Sequence, residues 1–347
     1  MIARGRQVIA AAASGRLGGA ASVIVHRALP RRRGVLTILT YHRVDEPSAR
    51  PDLMPSLISA TPRAFAAQVA MVARESDPVS LSDVLGALDD PRRLPRRAVL
   101  ITFDDGYRDF ATNAWPALRA ASVPATLFVA TGFTADPAAR FWWDRLWAAV
   151  HGAPPSTLAT PIGALPVGPA DARATVGRLR DWLKELDHDA VMHEVDRIVD
   201  ELGRADDKPP DDVQPAPSVL DWNELRGLAA EGVTLAPHTR SHPLLDRVDL
   251  ERAEAEISGS FDDLERETGG VAPPARVLAY PSGAHGESAV EAARRAGMTL
   301  AMTTQRGGND LRRADRFRLR RINVGGRASV PLIRAQLAWA ATLDVVR

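Results

Sequence analysis

Short apolar runs rich in β-branched residues recur along most of the chain. Each gives way to a polar turn and then, in several cases, to a stretch with helical spacing. The strand-like runs are VLTILTY (35–41), AVLITF (98–103), ATLFVA (125–130), VTLA (233–236), RVLAY (276–280), LAMTT (300–304) and RRINV (320–324). Between them, PRAFAAQVAMVARE (62–75) sets Phe65, Val69 and Val72 on one helical face, and LERAEAEISGSFDDLERETGG (250–270) does the same with Ala253, Ile257, Phe261 and Leu264. The second stretch runs out at Gly269–Gly270, a helix stop. Near-continuous apolar strands separated by helices predict a parallel sheet covered on both faces, an α/β fold. Seven strands suit a closed barrel or an open doubly wound sheet.

Residues of about 138–218 break this rhythm. FWWDRLWAAV reads as an aromatic-rich helix, a Pro/Gly loop follows over 153–169, and two helices are expected over about 171–186 and 189–202. GRADDKPPDDVQPAP then reads as a polar, proline-rich linker. The expected organisation is a basic arm over 1–33, one domain over 34–330 carrying a helical insertion at about 138–218, and a terminal helix over 331–347.

Composition narrows the function classes. The chain has 347 residues, 45% of them hydrophobic, with 44 Lys+Arg against 43 Asp+Glu, a net charge of +1. That balance argues against a nucleic-acid binder. There is no cysteine, which excludes disulfides, a thiol nucleophile and thiolate-held zinc, so any metal must sit on histidines and carboxylates. The first 44 residues hold eight arginines and no acid. Arg16 and three glycines interrupt their apolar stretch, which fits neither a signal peptide nor a membrane span. The expectation is a cytoplasmic protein, with peripheral association to an anionic inner-membrane surface through the basic arm left open.

Four polar clusters each follow directly on a strand: Tyr41–His42, Asp104–Asp105–Gly106, Pro237–His238 with Ser241–His242, and Pro281–Ser282–Gly283. Parallel α/β folds build their active sites at the carboxyl ends of the strands, so all four are expected at one mouth. His238 and His242 with one neighbouring aspartate supply two imidazoles and a carboxylate, a three-ligand set that leaves positions open for water. A His-x3-His pair alone also arises on helix faces, but Pro237 and Pro243 flank this one and favour a loop. Asp-Gly alone is a turn signal. Two adjacent carboxylates resist joint ionisation unless a cation lies between them, and a cation on one leaves the other free as a base.

ITFDDGYRDF, APHTRSHPLL and LAYPSG, supported by PATLFVATGF, FWWDRL, TTQRGG and FRLRRINV, resemble the motifs of the polysaccharide deacetylases, the NodB-homology group of carbohydrate esterase family 4. The resemblance runs over about residues 35–328. It implies a deformed (β/α)7-type, TIM-like barrel and a divalent-metal hydrolase, zinc by default, acting on the N-acetyl groups of a polysaccharide or glycan precursor. Asp104 resembles the catalytic base, and Asp105, His238 and His242 the metal ligands. The backbone N–H at Ser282, after Pro281, resembles the oxyanion donor. The family's acid is often a late histidine, and none follows residue 285. A subgroup resembling the poly-N-acetylglucosamine deacetylases carries it in an early Tyr-His motif instead, which His42 matches.

The sequence departs from the family in one place that matters. An arginine commonly stands two residues before the third-motif proline to orient the base; here that position is Ala279. Arg321, at the end of a late strand, can replace it or can be structural. Tyr280 is expected to line the site. Trp142, Trp143 and Trp147 could stack on sugars, although a seam fastening the insertion to the barrel is the expectation. His285 is expected as a solvated loop residue. Two other readings remain open: a catalytically silent carbohydrate-binding member, and an O-acetyl esterase on the same residues.

Overall fold

The structure, a computed structural model, describes residues 33–136, 138–203 and 218–342. All seven apolar runs are strands within it: β1 (Val35–Tyr41), β2 (Ala98–Phe103), β3 (Ala125–Val129), β4 (Thr234–Pro237), β5 (Val277–Ala279), β6 (Leu300–Met302) and β7 (Ile322–Asn323). β1 pairs in parallel with β2, β2 with β3 and β3 with β4. From β4 the circuit passes to β5 through the Ala275 amide on the Leu235 carbonyl at 2.8 Å, and β5 pairs with β6. A bridge from Met302 to Leu319 leads on to β7, which pairs back onto β1. The closed circuit is a deformed (β/α)7 barrel, thinnest where β4 meets β5.

Alternation along these strands divides the core in two. Leu36, Ile38, Leu100, Phe128, Ala236, Ala279, Met302 and Leu319 share one apolar cluster, the barrel interior. Leu39, Tyr41, Val99, Ile101, Phe103, Leu127, Val129 and Leu235 belong to another cluster with the covering helices. Those interior side chains meet Leu81, Val84 and Leu94, which close one end of the barrel. A one-residue slip in any strand would exchange the two sets, so the register is strongly specified.

The helices form for the expected reasons. α1 (Pro62–Glu75) starts at Thr61, whose side chain accepts from the Ala64 amide, and buries Phe65, Val69 and Val72. α2 (Leu81–Gly86), α3 (Trp115–Ala120) and α7 (Trp222–Ala230) are short. α8 (Leu250–Thr268), capped by Asp249, buries Ala253, Ile257, Phe261 and Leu264. α9 (Glu287–Arg295) follows, and α10 (Val330–Thr342) joins Ile333 and Leu337 to the core outside the barrel.

The interruption contains α4 (Trp142–Gly152), α5 (Ala172–Leu183) and α6 (His188–Gly203), which pack around a separate cluster with Leu53, Met54 and Tyr107. The loop expected over 153–169 is instead an antiparallel hairpin, Ser156–Thr160 against Gly163–Val167. Its inward side chains are Leu158, Leu165 and Val167. The rest are small, polar or proline, too weak a pattern to declare a strand. The polar linker and the basic arm, up to residue 32, lie outside the described residues. No helix among the described residues is long and apolar enough to cross a membrane.

Candidate active site

The inward register set in the barrel carries straight into its open end. Residues 36, 38 and 40 lead to His42, 98, 100 and 102 to Asp104, Ala236 to His238, and Leu319 to Arg321. Thr40 and Thr102 form the polar layer beneath, their hydroxyls 3.0 Å apart. Above it, His42, Asp104, Asp105, His238, His242 and Ser282 line one cavity of about 310 Å³.

By parity alone Asp105 would point outward. Its backbone has φ 77°, and Gly106 follows at φ 78°, a left-handed turn that brings two consecutive carboxylates to the same side. Thr239 (φ 66°), His242 (φ 57°) and Ser282 (φ 53°) are left-handed too. Such backbone costs about 1–3 kcal/mol per non-glycine residue and persists where surrounding structure enforces it. Four of the five such non-glycine residues among the described ones belong to the motifs at this end of the barrel, and the fifth, Ser122, sits in the turn before β3.

Asp105 Oδ1 lies 3.4 Å from His238 Nε2 and 3.5 Å from His242 Nε2. All three residues are at most 6% exposed, and their ligand atoms lie within 4.8 Å of one another. These separations are long for hydrogen bonds, which cluster near 2.7–3.2 Å. They match the edge of a tetrahedron with bonds of about 2.0–2.1 Å, roughly 3.3–3.4 Å. The tautomer agrees. His238 Nδ1 lies 2.7 Å from the Ala279 carbonyl, and a carbonyl only accepts, so Nδ1 carries the proton and the neutral ring turns the Nε2 lone pair toward Asp105. A lone pair facing a carboxylate needs a cation or a proton between them. The donor set therefore fits a divalent ion.

Titration directions follow from the same contacts. Burial pushes Asp105 upward, but with no ion between them the two imidazoles turn their Nε2 atoms on it as proton carriers and hold it far below the ordinary carboxylate range. Burial lowers His242, whose Nδ1 has no hydrogen-bond partner. For His238 burial acts downward and is outweighed by Asp105 and Asp104, so its pKa is raised.

Asp104 is held differently. Arg321 grips it with Nη1 on Oδ1 and Nη2 on Oδ2, both at 2.7 Å, while Nε donates to the Thr303 carbonyl at 2.8 Å. Arg321 is fully buried, and the pair is bidentate, the strongest form of such contact. Burial raises Asp104, and the guanidinium with His238 more than offsets it, so the carboxyl stays ionised below its usual range. Arg321 thus occupies the place that Ala279 leaves open, from a different strand.

Ser282 is on the cavity wall, but Tyr280 and Pro281 are not. Alternation sends Ala279 inward and Tyr280 outward, where its ring is buried with Leu278, Ala289 and Val290. This corrects the expectation that Tyr280 and Pro281 meet substrate. His285 stacks on Tyr280 with centroids 5.8 Å apart and also lies off the wall. Gly283 (φ 75°) is required here, because a Cβ would meet the Thr304 amide nitrogen at 2.6 Å.

The tryptophans divide. Trp147 is buried in the insertion seam away from the cavity, Trp142 stands on the cavity wall, and Trp143 does both, buried in the seam and lining the cavity. Trp143 packs edge-on against His242 with centroids 4.8 Å apart. Its Nε1 donates to the Tyr107 hydroxyl at 2.8 Å, which donates to Asp144 at 2.6 Å. Asp144 also accepts from the Met54 amide at 2.7 Å and is raised to about 6 by burial. Sequence reasoning missed Asp144, Thr304, Asn323 and two insertion cations on the wall, Arg180 and Lys184. The last two had a faint signal, an i,i+4 basic pair facing the way of Val176, Leu179 and Leu183 rather than the polar side.

Comparison with known proteins agrees with the fold. The polysaccharide deacetylase family model matches residues 92–163 and 167–301. The poly-β-1,6-N-acetyl-D-glucosamine N-deacetylase of Escherichia coli K12 is 32% identical over 162 residues, 46% of this chain but 18% of that protein, so the chain spans less than a fifth of this curated relative. A Streptococcus pyogenes deacetylase solved with acetate superposes with TM-score 0.58 at 20% identity, covering 87% of this chain and 98% of that one. A de-N-acetylase from Aggregatibacter actinomycetemcomitans gives 0.55 at 17% identity, covering 87% and 99%. At these identities the two structures speak for the fold.

Proposed function

The chain belongs to the polysaccharide deacetylase family, and on that premise we propose that it hydrolyses the N-acetyl amide of an N-acetylglucosamine-containing glycan, with a divalent cation held by Asp105, His238 and His242. The observation that carries this reading is the buried Arg321–Asp104 pair standing beside an aspartate and two imidazoles of ligand spacing. The cation, when bound, supplies Lewis acidity that polarises the acetamide carbonyl and acidifies the attacking water. Zinc suits two imidazoles and a carboxylate, and cobalt, nickel or iron would be held by the same atoms.

Asp104 takes the proton of the attacking water. Arg321 keeps that carboxylate ionised and aimed, and no reorientation is needed as the reaction proceeds. The Ser282 backbone N–H is the donor assigned to the developing oxyanion. An amine leaves poorly without a proton, and His42 on the same wall is the acid assigned to deliver it. Trp142, also on the wall, offers a face for a sugar ring. Arg321 removes the main reason to favour a silent, purely binding protein, since the base has an orienting partner after all.

The test is metal content together with acetate release from N-acetylglucosamine oligomers. About one divalent ion per wild-type chain is expected, with His238→Ala losing it. Asp104→Asn should keep the ion and lose about 10²–10⁴-fold in turnover. Acetate release that survives full chelation would overturn the reading.

A further inference from the structure

The insertion places two cations on the wall of the metal cavity, and the site already described gives them nothing to do. Arg180, in the last turn of α5, and Lys184, which caps its end one turn on, line the same cavity as Asp104, Asp105, His238 and His242. Neither makes an ion pair among the described residues, and Arg180 Nε is buried without a hydrogen-bond partner. Among the described residues, Asp104 and Asp105 are the only carboxylates on that wall. The first is committed to Arg321 and the second to the imidazoles. Asp144, a buried acid whose charge reaches Arg180, already accepts from Tyr107 and Met54, and Asp181, whose charge acts on both cations, is exposed to solvent.

Like charges at i,i+4 repel along a helix, and burial weakens both: Arg180 and Lys184 are each held below their ordinary pKa chiefly by desolvation, and Lys184 further by Arg180. The molecule as a whole is nearly neutral, at +1. The positive excess is therefore local to the cavity, and it grows when a divalent ion is bound. An arginine fork and a lysine point charge, both partly stripped of water, are the groups that bind carboxylate and phosphate oxygens.

We infer that the preferred substrate is an anionic glycan, in which a phosphate or carboxylate group close to the reacting N-acetyl sugar is held by Arg180 and Lys184. This rests on the deacetylase reading and adds the charge class of its substrate. The same cavity walls hold the reacting centre and the anion site, so the two groups belong to one glycan segment.

The experiment measures kcat/KM of the metal-loaded enzyme on three substrates: a neutral N-acetylglucosamine trimer, the same trimer as its 1-phosphate, and a trimer with glucuronic acid as one outer sugar. At low salt the wild type should favour at least one anionic trimer over the neutral one by tenfold or more, and the favoured arm identifies phosphate or carboxylate as the source. The ratio should fall toward one in Arg180→Gln/Lys184→Gln, persist in Arg180→Lys/Lys184→Arg, and shrink at 0.5 M salt as a screened charge effect must, ~3 Å being the Debye length near 1 M. Because it is a ratio, general damage to the fold does not mimic this outcome. Equal rates on all three substrates in the wild type, or a preference that survives the double Gln variant, would overturn the inference. Should no trimer be deacetylated, the catalytic reading falls on its own and calorimetry decides the rest. N-acetylglucosamine 1-phosphate binding the wild type tenfold tighter than N-acetylglucosamine, with the gap lost in the double Gln variant, supports the anion site; equal binding in the wild type refutes it.

Discussion

At Asp104 two effects of opposite sign meet in one side chain. Burial opposes its ionisation, and a fully buried guanidinium with two hydrogen bonds at 2.7 Å more than restores it. An arginine beside an aspartate typically lowers its pKa by about 1–3 units. Removing that charge with Arg321→Met leaves the desolvation and takes away what opposes it, so the pKa of Asp104 rises. A base works only when ionised, so the acid limb of kcat/KM should move to higher pH. An unmoved limb in a folded variant would show that Arg321 is structural only. His42 makes the complementary prediction. A proton donor matters most for a poor leaving group, so His42→Ala should cut N-acetyl turnover by about 10²–10⁴-fold and turnover of a phenyl acetate far less. Equal losses on amide and ester would remove His42 from the acid's role. At this scale the motif residues were legible because strand parity places 42, 104 and 238 inward. Arg321 was ambiguous, since one chain cannot tell which strand supplies an arginine missing at Ala279. Tyr280 was misjudged because adjacency to a motif was weighed above its outward parity.

The elements follow the same logic with different reliability. Most barrel strands are runs of β-branched and apolar residues buried on both faces, a signal independent of their partners, and all seven runs emerge as strands, although β7 exposes Asn323. The hairpin at 156–167 buries one side only, through Leu158, Leu165 and Val167, and composition alone reads it as loop. How the insertion docks was equally invisible, because it turns on single polar atoms. Asp144 ties α4 to the barrel through Tyr107 and to the 54 loop through the Met54 amide, and next to it Trp143 supports His242. Asp144→Ala strands a buried hydroxyl and a buried amide, at about 1–3 kcal/mol each. It should lower Tm and weaken metal binding together. The pH dependence has a definite sign. Asp144 titrates near 6 in the fold and near 3.9 unfolded. A raised folded pKa means that the native state holds the proton more tightly. This stabilisation is present below about pH 4 and is lost as pH rises through 6. In metal-free protein, the stability advantage of wild type over Asp144→Asn should shrink by about 2–3 kcal/mol across that window. Chemical unfolding at pH 4, 5 and 6.5 reads it directly, and an advantage that grows with pH would contradict a protonated Asp144.

In the whole molecule, the candidate metal centre joins parts of the barrel that are not neighbours in its wall. Asp105 follows β2, His238 and His242 follow β4, and β3 runs between them. A cation there is a cross-link at the open end, opposite the end packed by Leu81, Val84 and Leu94. It binds the assembled triad and little else, because the unfolded chain separates Asp105 from the histidines by more than a hundred residues. Binding energy is then folding energy: free metal at 100 times its dissociation constant adds about 2.7 kcal/mol. At about 2 °C per kcal/mol for large domains, zinc should raise Tm of the wild type by roughly 5 °C. The size of that rise must depend on pH. The imidazoles bind metal only when neutral, and the two carboxylates beside His238 raise its pKa, so protons compete with the ion as pH falls from 8 toward 6. The zinc-induced rise should be largest at pH 8 and shrink on acidification at fixed zinc. His238→Ala, having lost a proposed ligand, should show little rise at any pH, while Asp104→Asn, whose altered group is the proposed base, should keep it. Scanning calorimetry of these three proteins, with and without zinc at two pH values, separates the residue that works on substrate from the residues that hold the ion. A rise of equal size in His238→Ala and wild type would mean that zinc binds elsewhere, and the barrel mouth would lose its claim to the metal.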